Sequence, residues 1–299
     1  MRTLVPILFM AVLATAGCDS ADVVEQDVAQ VQMRLDVENL PPLQDGFSYQ
    51  AWARVGAQSH GSARFNVTEN GSFVNDAGQF TQNVAVFEVD ISDASEVLIT
   101  IEEKRNSDTL PSGTVILAGD LEDATAALST VHEKALAASF EGQTGAFMLL
   151  TWASGSSGDD LSGVWFIDGS RTSPTAGLSL PALPEGWNYE GWIDVAGTLL
   201  STGPFRENNT HDTLRQYSET DTPPYPGEDF LENAPEGIAF PLDPSGATVR
   251  VSVEPYPDDA LGPFGPFVLS GSVPSNPVSA TPYSLQAGPA MPRGTATLF

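Results

Sequence analysis

The chain has 299 residues, of which 41% are hydrophobic and 17% are charged. This composition predicts one large or two ordinary globular domains, and it excludes a disordered tail protein or a multi-span membrane protein. The 27 glycines and 23 prolines indicate frequent turns, which favours short strands over long helices. Because 39 acidic residues outnumber 12 basic ones, giving a net charge of −27, nucleic acid, anionic lipid surfaces and heparin-like polymers are excluded as partners.

The first residues have the three-part layout of a secretory signal peptide. Arg2 supplies a positive charge, an apolar run extends from Thr3 to Leu13, and residues 14–17 are small. The apolar run is too short to cross a bilayer as a helix. The sequence therefore predicts a cleaved signal peptide over residues 1–17.

A single cysteine follows this segment directly. Thr15, Ala16 and Gly17 precede Cys18, which resembles the lipobox of bacterial lipoproteins, with Thr15 where leucine is more usual. The resemblance implies cleavage before Cys18, diacylglycerol on its sulfur and acylation of the new amino terminus, so that the lipid on Cys18 holds the protein stably on a membrane. The alternative is an ordinary signal peptide with a stray cysteine, whose exposed thiol is a liability in an oxidising compartment.

Residues 18–30 are acidic and carry no hydrophobic pattern, so they are predicted to be a tether after the lipidated cysteine. All the acidic residues of the chain lie beyond Gly17 and belong to the mature protein. Such a surface is typical of a secreted protein from a salt-rich, halophilic setting, where counterions screen the repulsion between carboxylates. Solubility alone is the alternative explanation.

An internal duplication organises the remainder of the chain. Residues 40–52 recur as 180–192, residues 97–102 as 249–254, residues 115–119 as 267–271 and residues 145–149 as 294–298, always in the same order. This predicts two copies of one unit. The first repeat is residues 31–153, the second repeat is residues 161–299, and residues 154–160 are a linker rich in serine and glycine. Each repeat has its own closing strand and is expected to fold separately.

The elements of each repeat are predicted mainly from period-two alternation. Val97, Ile99 and Ile101, and the equivalent valines of residues 249–253, indicate half-buried strands. The strand that carries Trp52 has apolar residues of both parities, so it is predicted to be central, covered on both faces or bulged near Gln50. Residues 121–137 contain helix formers without breakers and predict a short helix. The fold class is therefore all-β, with two tandem, duplicated antiparallel β-sandwich domains of immunoglobulin-like type.

The recurring segment also resembles a known family. Gly46, Tyr49 and Trp52, and their counterparts in residues 186–192, are followed by Phe65 and Phe205, which is similar to the extracytoplasmic C-terminal domain of the anti-sigma-K factor family. The resemblance implies a sandwich domain outside the cytoplasmic membrane. The chain departs from that family because a signal peptide and lipobox stand where a sigma-binding region and a transmembrane helix are expected.

No catalytic set is apparent in the sequence. His60, His132 and His211 lie in unrelated contexts, no nucleophile elbow occurs, and no pair of histidines or cysteines has zinc-ligand spacing. Acidic residues cluster at equivalent strand ends of the two repeats, where they indicate either calcium ligands, a carboxylate pair for glycoside hydrolysis, or simply solvated turns. These residues are Glu102, Glu103 and Asp108, and Glu254, Asp258 and Asp259.

The aromatic residues have two interpretations, a sugar-stacking platform or a structural core. Tyr49 and Trp52 recur as Tyr189 and Trp192, which favours the core, whereas Trp187 stands where the first repeat has Phe47. These aromatic residues are Trp52, Trp152, Trp165, Trp187, Trp192, Tyr49 and Tyr189.

The sequence as a whole predicts a non-catalytic, lipid-anchored envelope lipoprotein, outside the cytoplasm on the periplasmic or outer-membrane face or at the cell surface. No cofactor is expected. Its partner is expected to be an envelope protein or a polysaccharide, and the alternative is a carbohydrate-binding or carbohydrate-active envelope protein. Exposure of Trp187 beside converging acids would favour that alternative.

Overall fold

The computed structural model describes residues 31–106, 108–153, 161–170, 172–218, 223–257 and 262–299. The predicted signal peptide, Cys18, the tether and the predicted linker 154–160 lie outside these residues. The described chain consists of strands and turns, without a helix, which confirms the all-β class. Within these ranges no helix is long and apolar enough to span a membrane.

The described strands, in chain order, are β1 (Gln32–Glu38), β2 (Phe47–Val55), β3 (Gln58–Val67), β4 (Phe73–Val74), β5 (Val84–Val86), β6 (Glu96–Glu103), β7 (Val115–Glu122), β8 (Thr125–Ser129), β9 (Thr144–Leu149), β10 (Gly163–Trp165), β11 (Ile167–Ser170), β12 (Ser173–Ala176), β13 (Trp187–Val195), β14 (Thr198–Phe205), β15 (Gly227–Asp229), β16 (Thr248–Pro255), β17 (Phe267–Ser272), β18 (Pro282–Ala287) and β19 (Arg293–Leu298).

These strands form two large antiparallel sheets in a sandwich or barrel-like arrangement. The first sheet has nine strands in the order β4-β3-β2-β6-β7-β8-β19-β1-β5, and the second sheet has eight in the order β14-β13-β16-β17-β18-β9-β10-β15. The hairpin β11-β12 is separate. Each large sheet curls so that its ends approach, β5 coming near β3 and β15 near β14.

The two sheets have equivalent strands in equivalent order, except that their closing strands are exchanged. β9, from the first repeat, pairs with β18 and β10 of the second sheet. β19, from the second repeat, pairs with β8 and β1 of the first sheet. The tandem arrangement is therefore not confirmed, because the ranges 31–153 and 161–299 do not delimit the sheets. The exchange also removes the basis for expecting each half to fold alone.

One hydrophobic core joins the two repeats. A single contiguous cluster of buried side chains includes Met33 and Ile99 from the first repeat and Val251 and Leu285 from the second. Ring contacts cross between the repeats, since the Phe47 and Phe264 ring centroids are 4.6 Å apart, edge to face. Burial of this apolar area is the main stabilising contribution to the fold.

The strand that carries Trp52 is central, as predicted. β2 lies between β3 and β6, and its register with β3 shifts between Gln50 and Trp52, which confirms the bulge. β6 was expected to be half-buried, but all its residues except Glu103 are buried. The reason is a second apolar cluster on the opposite face of the sheet, formed by Trp52, Leu98, Ala118 and Ala135.

The predicted short helix over residues 121–137 is wrong. Asp123 and Ala124 adopt positive φ angles of 48° and 64°, which turn β7 directly into β8. Ala126 and Leu128 then face the core while Ala127 is exposed, so the segment alternates with period two. Tertiary pairing with β7 and β19 overrides the helical propensity of its alanines.

Candidate functional site

The lipidation site predicted at Cys18 lies outside the described residues and stays a prediction. The other predicted site residues fall within the sheets or their loops, apart from Asp258 and Asp259, which also lie outside the described residues.

A buried chain of hydrogen bonds links a tryptophan to a glutamate in the first repeat. The Trp52 indole Nε1–H donates to Thr100 Oγ1 over 2.9 Å, and the Thr100 hydroxyl donates to Glu102 Oε1 over 2.5 Å. The Ser112 backbone N–H donates to the same carboxylate oxygen over 2.9 Å. Glu102 is therefore a buried acceptor held by Thr100 of its own strand and Ser112 of the following loop.

The same chain of hydrogen bonds recurs in the second repeat. Trp192 Nε1–H donates to Ser252 Oγ over 2.8 Å, and the Ser252 hydroxyl donates to Glu254. The Phe264 backbone N–H donates to Glu254 Oε2 over 2.8 Å. Glu254 is 1% exposed, so this carboxylate, too, is a structural acceptor.

The three acids that could form a calcium or glycosidase set are therefore not assembled in the first repeat. Glu102 is buried, whereas Glu103 and Asp108 are exposed. In that repeat the exposed pair is consistent with a solvated turn.

The aromatic residues belong to the interior. Trp52, Trp165, Trp187 and Trp192 are at most 2% exposed, and Trp152 is half-buried against Trp165. Tyr49 and Tyr189 each donate from the hydroxyl to a carbonyl oxygen eight residues earlier, that of Pro41 or Pro181, over 2.7 Å. Burial raises the pKa of both tyrosines above the ordinary value. These contacts confirm the core interpretation.

His60 lies on β3 and His211 in the segment after β14, whereas His132 joins a cluster that the sequence did not indicate. Glu96 and Asp120 are directly opposite on β6 and β7, and His132 Nε2 is 3.6 Å from Asp120 Oδ2. Ligand atoms of these three residues lie within 4.8 Å of one another, a geometry that can hold a metal ion. However, Arg54 Nη1 already lies 3.4 Å from Glu96 Oε2.

The histidine tautomer also argues against metal binding at that cluster. The Lys134 backbone N–H donates to His132 Nδ1 over 3.2 Å, so a neutral imidazole carries its hydrogen on Nε2, facing Asp120. A metal on Nε2 requires the other tautomer and loss of that backbone hydrogen bond. We therefore describe Glu96, Asp120 and His132 as a network of polar contacts that runs from the buried Glu96 to the exposed Asp120.

Two neighbouring acids in the second repeat have strongly shifted pKa values. Burial raises the pKa of Asp212 to about 7, and burial together with the Asp212 charge raises the pKa of Glu228 to about 8. The Gly227 backbone N–H donates to Asp212 and the Gln216 backbone N–H donates to Glu228. Both carboxyls thus fasten the segment after β14 to β15.

The sequence gives one signal for this acid pair. The segment between β14 and β16, residues 206–247, is longer than its counterpart between β3 and β6, residues 68–95. An insertion in only one copy of a duplicated unit commonly carries a feature that the other copy lacks. The pairing of Asp212 with Glu228 depends on how this insertion folds back, which its local sequence does not reveal.

A concave surface lies along the edge of β3. This groove, about 800 Å³ in volume, is bounded by residues 57–63, residues 86–89 and residues 108–110. Val86, Val89 and Leu110 are 44%, 40% and 68% exposed. Glu88 and Asp108 supply negative charge, and no lysine or arginine lines this groove among the described residues.

Comparison of the chain with protein-family models, with curated proteins and with solved structures finds no match.

Proposed function

We propose that this chain is a lipid-anchored envelope protein, outside the cytoplasm, with a non-catalytic binding or structural role. The observation that carries the anchoring proposal is the arrangement of Arg2, the apolar run and the small residues directly before Cys18. Thirteen residues separate Cys18 from Gln32, where β1 begins. Fully extended, such a tether spans up to about 45 Å.

Several features support a binding or structural role. The buried Glu102 and Glu254 accept hydrogen bonds from a hydroxyl on their own strand and from a backbone N–H of the loop that follows it. Trp187, whose exposure would favour the carbohydrate alternative, is completely buried. The resemblance to anti-sigma-K extracytoplasmic domains remains part of the proposal, as do the halophilic setting and the choice between a protein and a polysaccharide partner.

The anchoring proposal is tested by replacing the lipidated residue. In a bacterial host grown with labelled palmitate, the parent chain should incorporate the label and sediment with membranes, whereas Cys18→Ser should lose both properties. Ser20→Ala, two residues away, is the matched control and should retain them. Membrane association of Cys18→Ser equal to that of the parent, with no label in either chain, would disprove lipid anchoring.

A further inference from the structure

We propose that the outer edge of β3 adds an extended, basic segment of a partner protein as an extra strand. The inference deepens the proposed binding role, and it does not depend on the lipid. It starts from the pairing of β3, which is hydrogen-bonded to β2 on one side. On the other side, within the part of the chain that is described, β4 pairs only with Asn66 and Val67. β5 comes near β3 but pairs only with β1. Residues 58–61 therefore form a sheet edge with no hydrogen-bonded strand on its outer side among the described residues.

The hairpin geometry indicates which backbone groups point outward. β2 and β3 are joined by the two residues Gly56 and Ala57, with Val55 opposite Gln58. In such a hairpin the pair next to the turn is hydrogen-bonded, and bonded and non-bonded pairs then alternate. Ser59 and Gly61 fall at non-bonded positions with respect to β2. Their N–H and C=O groups thus point toward the groove, where an incoming strand would find them.

The groove beside this edge has the surface that such a strand requires. Arg64 donates to the carbonyl oxygens of Glu103 and Asn106, which holds the following loop, with Asp108 and Leu110, beside β3. The exposed Val86, Val89 and Leu110 accept apolar side chains from one face of an added strand.

Charge selects the occupant. Glu88 and Asp108 line the groove, and the whole chain carries a net charge of −27. A segment of alternating apolar and basic residues matches this surface, whereas an acidic segment is repelled.

The edge of β14, which is equivalent to that of β3, has an internal partner at its end. The Thr213 backbone N–H donates to the Pro204 carbonyl oxygen over 3.1 Å, so the chain's own insertion reaches the end of β14. Pro204 is the counterpart of Arg64 in the 140-residue offset. This contact lies beyond Thr198–Ser201, the counterparts of residues 58–61, so the second repeat serves as a control for whether the groove beside β3, and not an open edge alone, selects the peptide.

The test uses the full chain carrying Cys18→Ser and a fluorescent nine-residue peptide of alternating valine and lysine. Fluorescence anisotropy should show saturable binding to this peptide and none to the valine–glutamate peptide of the same pattern. N-methylation of alternate backbone amides on the lysine peptide, which leaves its charge unchanged, should weaken binding at least about tenfold, because the added strand loses its hydrogen bonds.

Variants locate the site. Ser59→Pro removes an outward N–H without touching the ladder to β2 and should weaken binding at least about tenfold. Leu199→Pro, at the equivalent position of β14, should leave binding unchanged. Equal binding of the methylated and unmethylated peptides, or parental binding by a Ser59→Pro chain with a parental melting curve, would overturn the proposal. If Ser59→Pro fails to fold, the methylated peptide decides alone.

Discussion

The two repeats share the same buried hydrogen bonds around their recurring tryptophan, but different side chains pack beside that tryptophan. In both, an indole N–H, a hydroxyl and a glutamate form one buried chain of hydrogen bonds. The outer neighbours differ. Leu98 lies opposite Trp52, whereas Arg250 lies opposite Trp192 and stacks over Phe267, 5.0 Å from the ring centroid.

This comparison separates what the fold needs from what it tolerates. A buried indole N–H and a buried carboxylate are costly unless each has a partner, so the hydroxyl between them has to be kept in both copies. The tryptophan on the outer face of the sheet has to be shielded from water. Leu98 and Ala135 pack against Trp52, whereas the aliphatic part of Arg250 lies beside Trp192. The exchanged strands β9 and β19 then join the two copies into one unit.

The largest predicted effect comes from separating the repeats. Residues 19–153 expressed alone lack β19, which lies between β8 and β1, and residues 161–299 alone lack β9. We expect neither half to unfold cooperatively by itself, and co-expression to yield a folded complex. Circular dichroism melting and size-exclusion chromatography are the measurements. A cooperative transition in either isolated half would contradict the shared fold.

Replacing the recurring tryptophans comes next. Trp52→Ala should cost about 3–5 kcal/mol, because the ring fills the cluster with Leu98, Ala118 and Ala135. Trp192→Ala should cost less, since its cross-strand neighbour is Arg250. Denaturant unfolding should show one transition in each variant, because a single core joins the repeats. Two separated transitions in Trp192→Ala, with the first sheet unaffected, would show independent units.

Removing the hydroxyl that links the tryptophan to the glutamate should destabilise the fold by a smaller amount, and by the same amount in the two repeats. Thr100→Val and Ser252→Ala each leave an indole N–H and a carboxylate oxygen without that partner. We expect each to lower the free energy of unfolding by about 1–3 kcal/mol. Thr125→Val, on the exposed start of β8, is the control and should change little. A loss in only one repeat would mean that the two chains of hydrogen bonds are not equivalent.

The smallest expected effect is on the pH dependence of the melting temperature, and it comes from Asp212 and Glu228. A carboxyl whose pKa is raised on folding stabilises the fold most below its unfolded pKa of about 4. That stabilisation is lost as the pH rises through the folded values of about 7 for Asp212 and about 8 for Glu228. Between about pH 5 and about pH 9, roughly one unit above the unfolded pKa and one unit above the folded pKa of Glu228, the melting temperature of Glu228→Gln should therefore fall less than that of the parent.

The control for that variant is Glu232→Gln, which removes the same charge from an exposed position nearby. It should preserve the parental pH profile. A Glu228→Gln profile parallel to that of the parent would show that Glu228 does not take up a proton on folding in this range.

Much of the local structure was predictable from the sequence. Alternation of β-branched residues predicted β6 and β16, and the mixed parity around Trp52 predicted a central, bulged β2. Recurrence of Tyr49 and Trp52 at the same offset predicted their burial. The helix prediction failed at residues 121–137 because the alanines there pair with neighbouring strands.

Long-range pairing was not predictable. Residues 144–149 and 293–298 are similar short strands, so either segment fits beside β8 or β18, and no local pattern specifies which sheet receives it. The groove along β3 and the acid pair Asp212 and Glu228 were not predictable for the same reason. Each brings together segments that are distant in the chain, so their residues carry no recognisable spacing.

Disulfide trapping tests the strand exchange most directly. In a Cys18→Ser background, Ala146→Cys is combined with Ser284→Cys, its neighbour across β9 and β18. The competing pair combines Ala146→Cys with Ala127→Cys, because Ala127 lies opposite Thr295, the counterpart of Ala146. Directly opposite strand residues have Cα separations of about 4.5–5.5 Å, within the range of a disulfide.

On a non-reducing gel after mild oxidation, the exchanged fold predicts a cross-link between positions 146 and 284 and none between positions 127 and 146. A cross-link between positions 127 and 146, with none between 146 and 284, would contradict the strand exchange and would indicate two tandem domains instead.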